Sequence, residues 1–279
     1  MARIIAGMGT SHVPGLGAAM DNGKTQEAYW QPVFKGLEPL RSWHRDHVPD
    51  VTIIVYNDHA TAIALDNYAT FTLGVAEQFL PADEGWGRRN VPTVQGHPEL
   101  AWHLVESLVM DEFDLAVSGD LDVDHGLTVP LSIAYDQPEI WPTRVIPLAV
   151  NVIQYPQPTS LRCFKLGQAI RRAVDAFPDD ITVGIWGTGG LSHQLGGERV
   201  GVVNPEFDTQ FLDNLVSDPM ANTRLTHTDF FREAGCEGIE MIMWNVMRGA
   251  LNDRVSEAYR FYHIPVSATA YGAIILENP

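Results

Sequence analysis

Short runs of consecutive apolar residues alternate with longer amphipathic stretches along this chain. That is the pattern of strands buried on both faces, with helices covering them. Val51 to Tyr56 (VTIIVY) is the clearest strand, six residues of β-branched or aromatic character. Ile4 to Met8, Thr70 to Val75, Asp114 to Val117, Arg144 to Val152 and Ile181 to Trp186 read as further strands, as does the C-terminal ATAYGAIIL. Helical spacing covers Glu27 to His47, with Pro32 and Pro39 as breaks or kinks, and then His97-Pro98 to Met110. Further helices are expected from near Thr128, over Ser160 to Phe177, Phe207 to Val216 and Cys236 to Ala250, and near Asp253 to Tyr262. No internal repeat, low-complexity tract or composition shift divides the chain. The pattern predicts one catalytic domain over residues 1–279, an α/β fold with a central, mostly buried sheet flanked by helices.

Composition narrows the partners. Lys and Arg number 18 against 35 Asp and Glu, a formal charge of −17. A nucleic-acid binder needs a basic face, so that class is disfavoured. An anionic substrate would need a local cation or metal to offset the global field. Cys163 and Cys236 stand in unrelated contexts, which excludes a disulfide framework or a thiolate zinc site. No apolar run is long enough for a membrane span, and the N-terminus lacks a signal-peptide core, so a cytoplasmic, reduced setting is expected.

Chemistry gathers where strands end. Ile4–Met8 runs into Gly9, Thr10, Ser11 and His12, and Val51–Tyr56 runs into Asn57, Asp58 and His59. His125 follows two aspartates at the start of an expected helix, and His193 lies in GTGGLSHQLGG, which has five glycines in eleven residues. Ligands in open α/β sheets sit beyond the carboxyl ends of strands, so four histidines at such places suggest one site. The glycines allow close backbone approach, and neither a GxGxxG nor a GxxxxGK[ST] phosphate motif is present. Glu240 falls inside an apolar helix, where a carboxylate is costly unless paired or bound to metal; Arg248 is two turns away, a poor partner. His12, His59 and Glu240 could form the two-histidine, one-carboxylate set of non-haem Fe(II) oxygenases, although zinc hydrolases use the same donors. The unpatterned segment Pro81–Pro98 reads as a lid or interaction loop, with Trp86 placed to cover something and Arg88 and Arg89 as an anion contact or a solvated pair.

Eight motifs occur in order: GTSHVPGLGAA, VYNDHA, PADEGWG, DVDHG, VPLS, WGTGGLSHQL, GIEMIMW and FYHIP. Together they resemble the β subunit of protocatechuate 4,5-dioxygenase and, with it, the class III extradiol ring-cleaving dioxygenases, over essentially the whole chain. The resemblance implies Fe(II) held by His12, His59 and Glu240, with His193 as the acid–base residue and His125 as an auxiliary partner. It implies O2 and a catecholic aromatic acid as substrates, with protocatechuate first and gallate or 3-O-methylgallate as alternatives. It also implies a small helical α subunit in a hetero-oligomer, or a homo-oligomer where that subunit is missing. After the His-Ile-Pro motif the family has Ser-Asn-Thr where this chain has Ser267, Ala268 and Thr269. These three are expected to contact the substrate, so the change bears on which acid is taken. A zinc hydrolase and a non-catalytic metal-binding relative are the readings from other classes.

Overall fold

The apolar runs become strands. In the computed structural model, which describes residues 1–279, the chain opens with β1 (Arg3–Thr10), α1 (Pro14–Asp21), α2 (Gln31–Gly36) and α3 (Glu38–Asp46). Then come β2 (Val51–Tyr56), β3 (Phe71–Gly74), the short pair β4 (Gln78–Phe79) and β5 (Val94–Gln95), α4 (Pro98–Met110) and β6 (Ala116–Ser118). The middle holds α5 (His125–Tyr135), β7 (Arg144–Val150), α6 (Ser160–Ala176) and β8 (Thr182–Thr188). Three helices follow, α7 (Pro205–Ser217), α8 (Pro219–Thr223) and α9 (His227–Glu233), and then a 3-10 turn (Glu237–Met241) leads into α10 (Ile242–Ala250). β9 (Ser256–Val266) and β10 (Thr269–Glu277) close the chain.

Eight strands form one mixed sheet in the order β6-β3-β7-β2-β8-β1-β10-β9. The central four, β7, β2, β8 and β1, run parallel, so their carboxyl ends share one edge. β10 and β9 add antiparallel strands at one side. Every residue of β2 is buried. Val51, Ile53 and Val55 face a core shared with α4, α6 and α10, while Ile54 and Tyr56 face one shared with α1, α2, α3 and α5. The chain is thus a single α/β domain with helices on both sheet faces. No helix is long and apolar enough to cross a membrane.

Two expectations about elements need correction. Glu27–His47 is not one helix: Pro32 and Pro39 each occupy the first turn of a separate helix, α2 and α3. Proline lacks the N–H that an interior position must donate, so it begins helices rather than continuing them. Asp253–Tyr262 forms no helix, because β9 spans most of it and pairs with β10 through Tyr259 opposite Ile275 and Phe261 opposite Ala273. Tyr259 and Phe261 pack on one core and Tyr262 on the other, a period of two that outweighs local helix propensity.

α6 and α10 cross at two glycines. A Cβ on Gly167 would stand 2.0 Å from the carbonyl oxygen of Val246, and one on Gly249 would stand 2.1 Å from that of Phe164. Because backbone cannot rotate away, Gly167→Ala is expected to destabilise the fold by about 3 kcal/mol, the upper end for overpacking. Urea unfolding of the variant beside the parent checks this.

Candidate metal and catalytic centre

The shared carboxyl edge of the parallel strands carries the site. β1 ends two residues before His12, β2 three residues before His59, and β8 leads into the loop holding His193. After β2, Asp58 ties the turn down by accepting from the backbone N–H groups of Thr61, Ala62 and Ile63. Asp124 caps α5 by accepting from Gly126 N, which makes His125 the first helical residue. Gly189 adopts φ +133°, and a Cβ there would lie 2.7 Å from Cβ of Glu240. A Cβ on Gly190 would likewise lie 2.5 Å from Cε1 of His193, so the glycine-rich loop lets Glu240 and the His193 ring close in on its backbone.

In all four histidines Nδ1 is engaged away from the cleft. His12 Nδ1 lies 3.0 Å from Thr188 Oγ1, whose own hydroxyl donates to Gly126 O. His59 Nδ1 donates to Asp124 at 2.8 Å, and its backbone N–H donates to the same oxygen. His125 Nδ1 meets Glu84, and His193 Nδ1 donates to Leu191 O at 2.7 Å. This leaves each Nε2 turned to the cleft, the arrangement that sets a metal-binding imidazole's tautomer.

The Nε2 atoms meet a carboxylate. Glu240, on the 3-10 turn before α10, has Oε2 3.3 Å from His12 Nε2 and Oε1 3.8 Å from His59 Nε2. His193 Nε2 is 3.9 Å from Oε2, which also accepts from Gly190 N–H. Ligand atoms of His12, His59 and His125 also lie within 4.8 Å of one another. Arg248 is engaged elsewhere, donating to the carbonyls of Leu215, Asn252 and Asp253. Burial alone would push Glu240 up, but the facing imidazoles His12 and His59 outweigh it and hold its carboxyl well below the usual range. Burial also works against a proton on His59, yet hydrogen bonds to Asp124 and Glu240 prevail and raise that ring to about 10. Burial dominates at His12 and lowers it. His12 Nε2 is buried without a hydrogen-bond partner. A buried lone pair left so is costly, and a cation among these donors would satisfy it. The donor set fits a divalent transition metal.

The centre opens into a cleft of about 570 Å³ lined by His12, His59, His125, His193, Glu240 and fourteen other residues, none of them Lys or Arg. Ser267 and Thr269 line it, but Ala268, from the same turn, does not. Trp86 is 73% exposed and lies outside this cleft, so it does not cover the centre. Arg88 and Arg89 are each paired, with Asp122 and Asp21, and neither faces the cleft.

Sequence reasoning missed the residues that aim the imidazoles: Asp124, Thr188 and Glu84. Asp124 could have been found as a helix N-cap directly before His125, since Asp before a helix is a standard start signal. Removing such an outer partner typically costs about 10–100-fold in metal affinity. Asp124→Ala is therefore expected to weaken metal binding by about that factor, read from competition with a chelator.

A family profile described as the catalytic LigB subunit of aromatic ring-opening dioxygenase matches residues 6–272. A gallate dioxygenase of Pseudomonas putida is 46% identical over 197 residues, 71% of this chain and 58% of that protein. A 2,3-dihydroxyphenylpropionate/2,3-dihydroxicinnamic acid 1,2-dioxygenase of Photorhabdus laumondii is 32% identical over 200 residues, 71% of this chain and 59% of that protein. The matched stretch thus spans less than two thirds of either relative. The crystal structure of an uncharacterized protein from Escherichia coli K12 superposes with a TM-score of 0.63 over 97% of this chain and 99% of that one. At 13% identity that likeness is one of fold alone.

Proposed function

The chain belongs to the family of the catalytic LigB subunit of aromatic ring-opening dioxygenases, and we propose that it cleaves a catecholic aromatic acid with O2 beside the two hydroxyls. The observation that carries this reading is the convergence of His12, His59 and Glu240 on one cleft, with His193 and His125 next to them. Two imidazoles and a carboxylate with open positions suit non-haem Fe(II), and these three residues are its proposed ligands. When bound, ferrous iron supplies Lewis acidity toward the phenolic oxygens and the redox chemistry that O2 requires.

The protein's own groups do the rest. With Nδ1–H held by Leu191 O, His193 presents Nε2 as an acceptor within reach of a substrate hydroxyl beside Glu240. It takes that proton and later returns it to the reduced oxygen, as a positioned imidazole does near neutral pH. His125, stacked on His59 with ring centroids 3.9 Å apart, orients the second oxygen atom. With no Lys or Arg in the cleft, the substrate's carboxylate depends on neutral donors such as Ser267 and Thr269, and on the metal's charge.

The preferred acid on this reading is gallate. The motifs alone put protocatechuate first, but the 46% identity is to a gallate dioxygenase, and 3-O-methylgallate is the third candidate. Ile153 and Leu195 line the cleft while 41% and 62% exposed. That apolar rim supports a covering partner, either a small helical subunit or a second copy of the chain. The test is oxygen uptake and the absorbance of ring-fission product with each acid in turn. The expected order of kcat/KM is gallate above protocatechuate; the reverse order would return the substrate to protocatechuate, and no uptake with any of them would overturn the reading.

A further inference from the structure

His125 stands in the wall between two cavities. With Pro14 it lines both the catalytic cleft and a second, polar cavity of about 390 Å³ on its other side, where Glu84, Asp21 and Arg89 also lie. A ring packed tightly all round needs no further restraint, but this one has space on two sides. Stacking on His59, 30° from parallel, restrains the plane of the ring. It does not decide which nitrogen carries the proton.

Glu84 makes two contacts that do. Its Oε1 accepts from the backbone N–H of His125 at 2.9 Å, and its Oε2 meets His125 Nδ1. Both side chains are buried, 6% exposed for Glu84 and 9% for His125. The segment carrying Glu84 is stitched to the residues just before His125. Ala82 N–H donates to Val123 O, Val123 N–H donates to Leu80 O, and Arg88 pairs with Asp122. Asp83 closes the turn beyond by accepting from Gly85 and Gly87 N–H, with both glycines at positive φ. Glu84 thus reaches the ring from a fixed base.

We propose that Glu84 is a positioning residue that sets the tautomer of His125, keeping the proton on Nδ1 so that Nε2 meets the substrate as an acceptor. This rests on the catalytic reading of the cleft for its consequence, though not for the tautomer itself. A carboxylate accepts at both oxygens, and a backbone N–H can only donate. In Glu84→Gln one of the two oxygens becomes an NH2 group. The backbone N–H still requires the oxygen, so the amide NH2 must face Nδ1. An imidazole can answer by moving its proton, and a backbone amide cannot. Glu84→Gln is therefore expected to turn His125 into the Nε2–H tautomer, a donor where the parent offers an acceptor. Glu84→Asp accepts at both oxygens and is expected to keep the parent tautomer.

The test reads the ring nitrogens directly. Histidine labelled with 15N is followed by NMR in the protein without added metal, at a pH where the ring is neutral, with the His125 signals assigned by their loss in His125→Phe. The parent and Glu84→Asp should show protonated Nδ1 and bare Nε2, and Glu84→Gln the reverse. Bare Nδ1 in the parent, or no change in Glu84→Gln, overturns the assignment. On the iron-loaded proteins, Glu84→Gln should retain iron and bind gallate anaerobically, while kcat falls about 10²-fold and Glu84→Asp recovers most of it. A switched tautomer with undiminished kcat would overturn the positioning role. If the parent itself opened no catechol ring, the functional reading would fail, and the NMR result would still decide the tautomer.

Discussion

Glu240→Ala is expected to emerge from Fe(II) loading with almost no bound iron and no detectable ring cleavage. Only three groups are proposed to hold the metal, and Glu240 is the sole anion among them. Its Oε2 stands 3.3 Å from His12 Nε2 and its Oε1 3.8 Å from His59 Nε2, so the carboxylate is where the two imidazoles meet. Truncation removes both an oxygen ligand and the negative charge that offsets a divalent ion in a buried place. His12→Ala and His59→Ala should fail in the same way, and for both of these binding and chemistry are lost together. Iron assay after gel filtration, with circular dichroism to establish that the variants fold, checks the set. Iron close to one per chain in any of the three would strike that residue from the ligands, with His125 next in line because its ligand atom lies within 4.8 Å of those of His12 and His59.

His193→Ala should behave differently. Its Nδ1 is committed to Leu191 O, and its Nε2 is 3.9 Å from Glu240, near the proposed metal ligands yet free to face a substrate. The loop is anchored independently of the ring, because His193 N–H donates to Ala234 O and Ser192 is held by Asp208. Loss of the imidazole should therefore leave iron and anaerobic catechol binding in place. Turnover is expected to fall by about 10²–10⁴-fold, the usual worth of a positioned acid–base group. Single-turnover kinetics beside an anaerobic titration on one preparation separates the two effects. A variant without iron would make His193 a ligand, and one turning over at the parent rate would move the proton to another path, with His125 the next candidate.

How much of this was legible in the sequence depended on whether a signal was local. Strands such as Val51–Tyr56 and Thr182–Thr188 are buried on both faces, so their apolar runs announced them. The histidines at their ends followed from the rule about carboxyl edges. β9 was misread because its aromatic alternation serves two different cores, visible only once β10 lies beside it. Glu84 and Asp124 escaped for a related reason. Glu84 is 41 residues from His125, and Asp124 is 65 residues from His59. Nothing in the spacing of acidic residues marks which one will meet an imidazole across the fold. Trp86 was overread: two flanking glycines suggested a cover, and they instead permit the positive-φ turns that place Glu84.

Ferrous iron at His12, His59 and Glu240 is proposed to support ring opening by O2, and the most direct test of this loads one preparation with Fe(II) and another with Zn(II), then adds gallate in an oxygen electrode chamber. Equimolar consumption of O2 and gallate is expected from the iron protein alone, lost on oxidation by peroxide and regained with ascorbate and Fe(II). Equal ring cleavage by the zinc protein, or gallate consumed without O2 uptake, would contradict it.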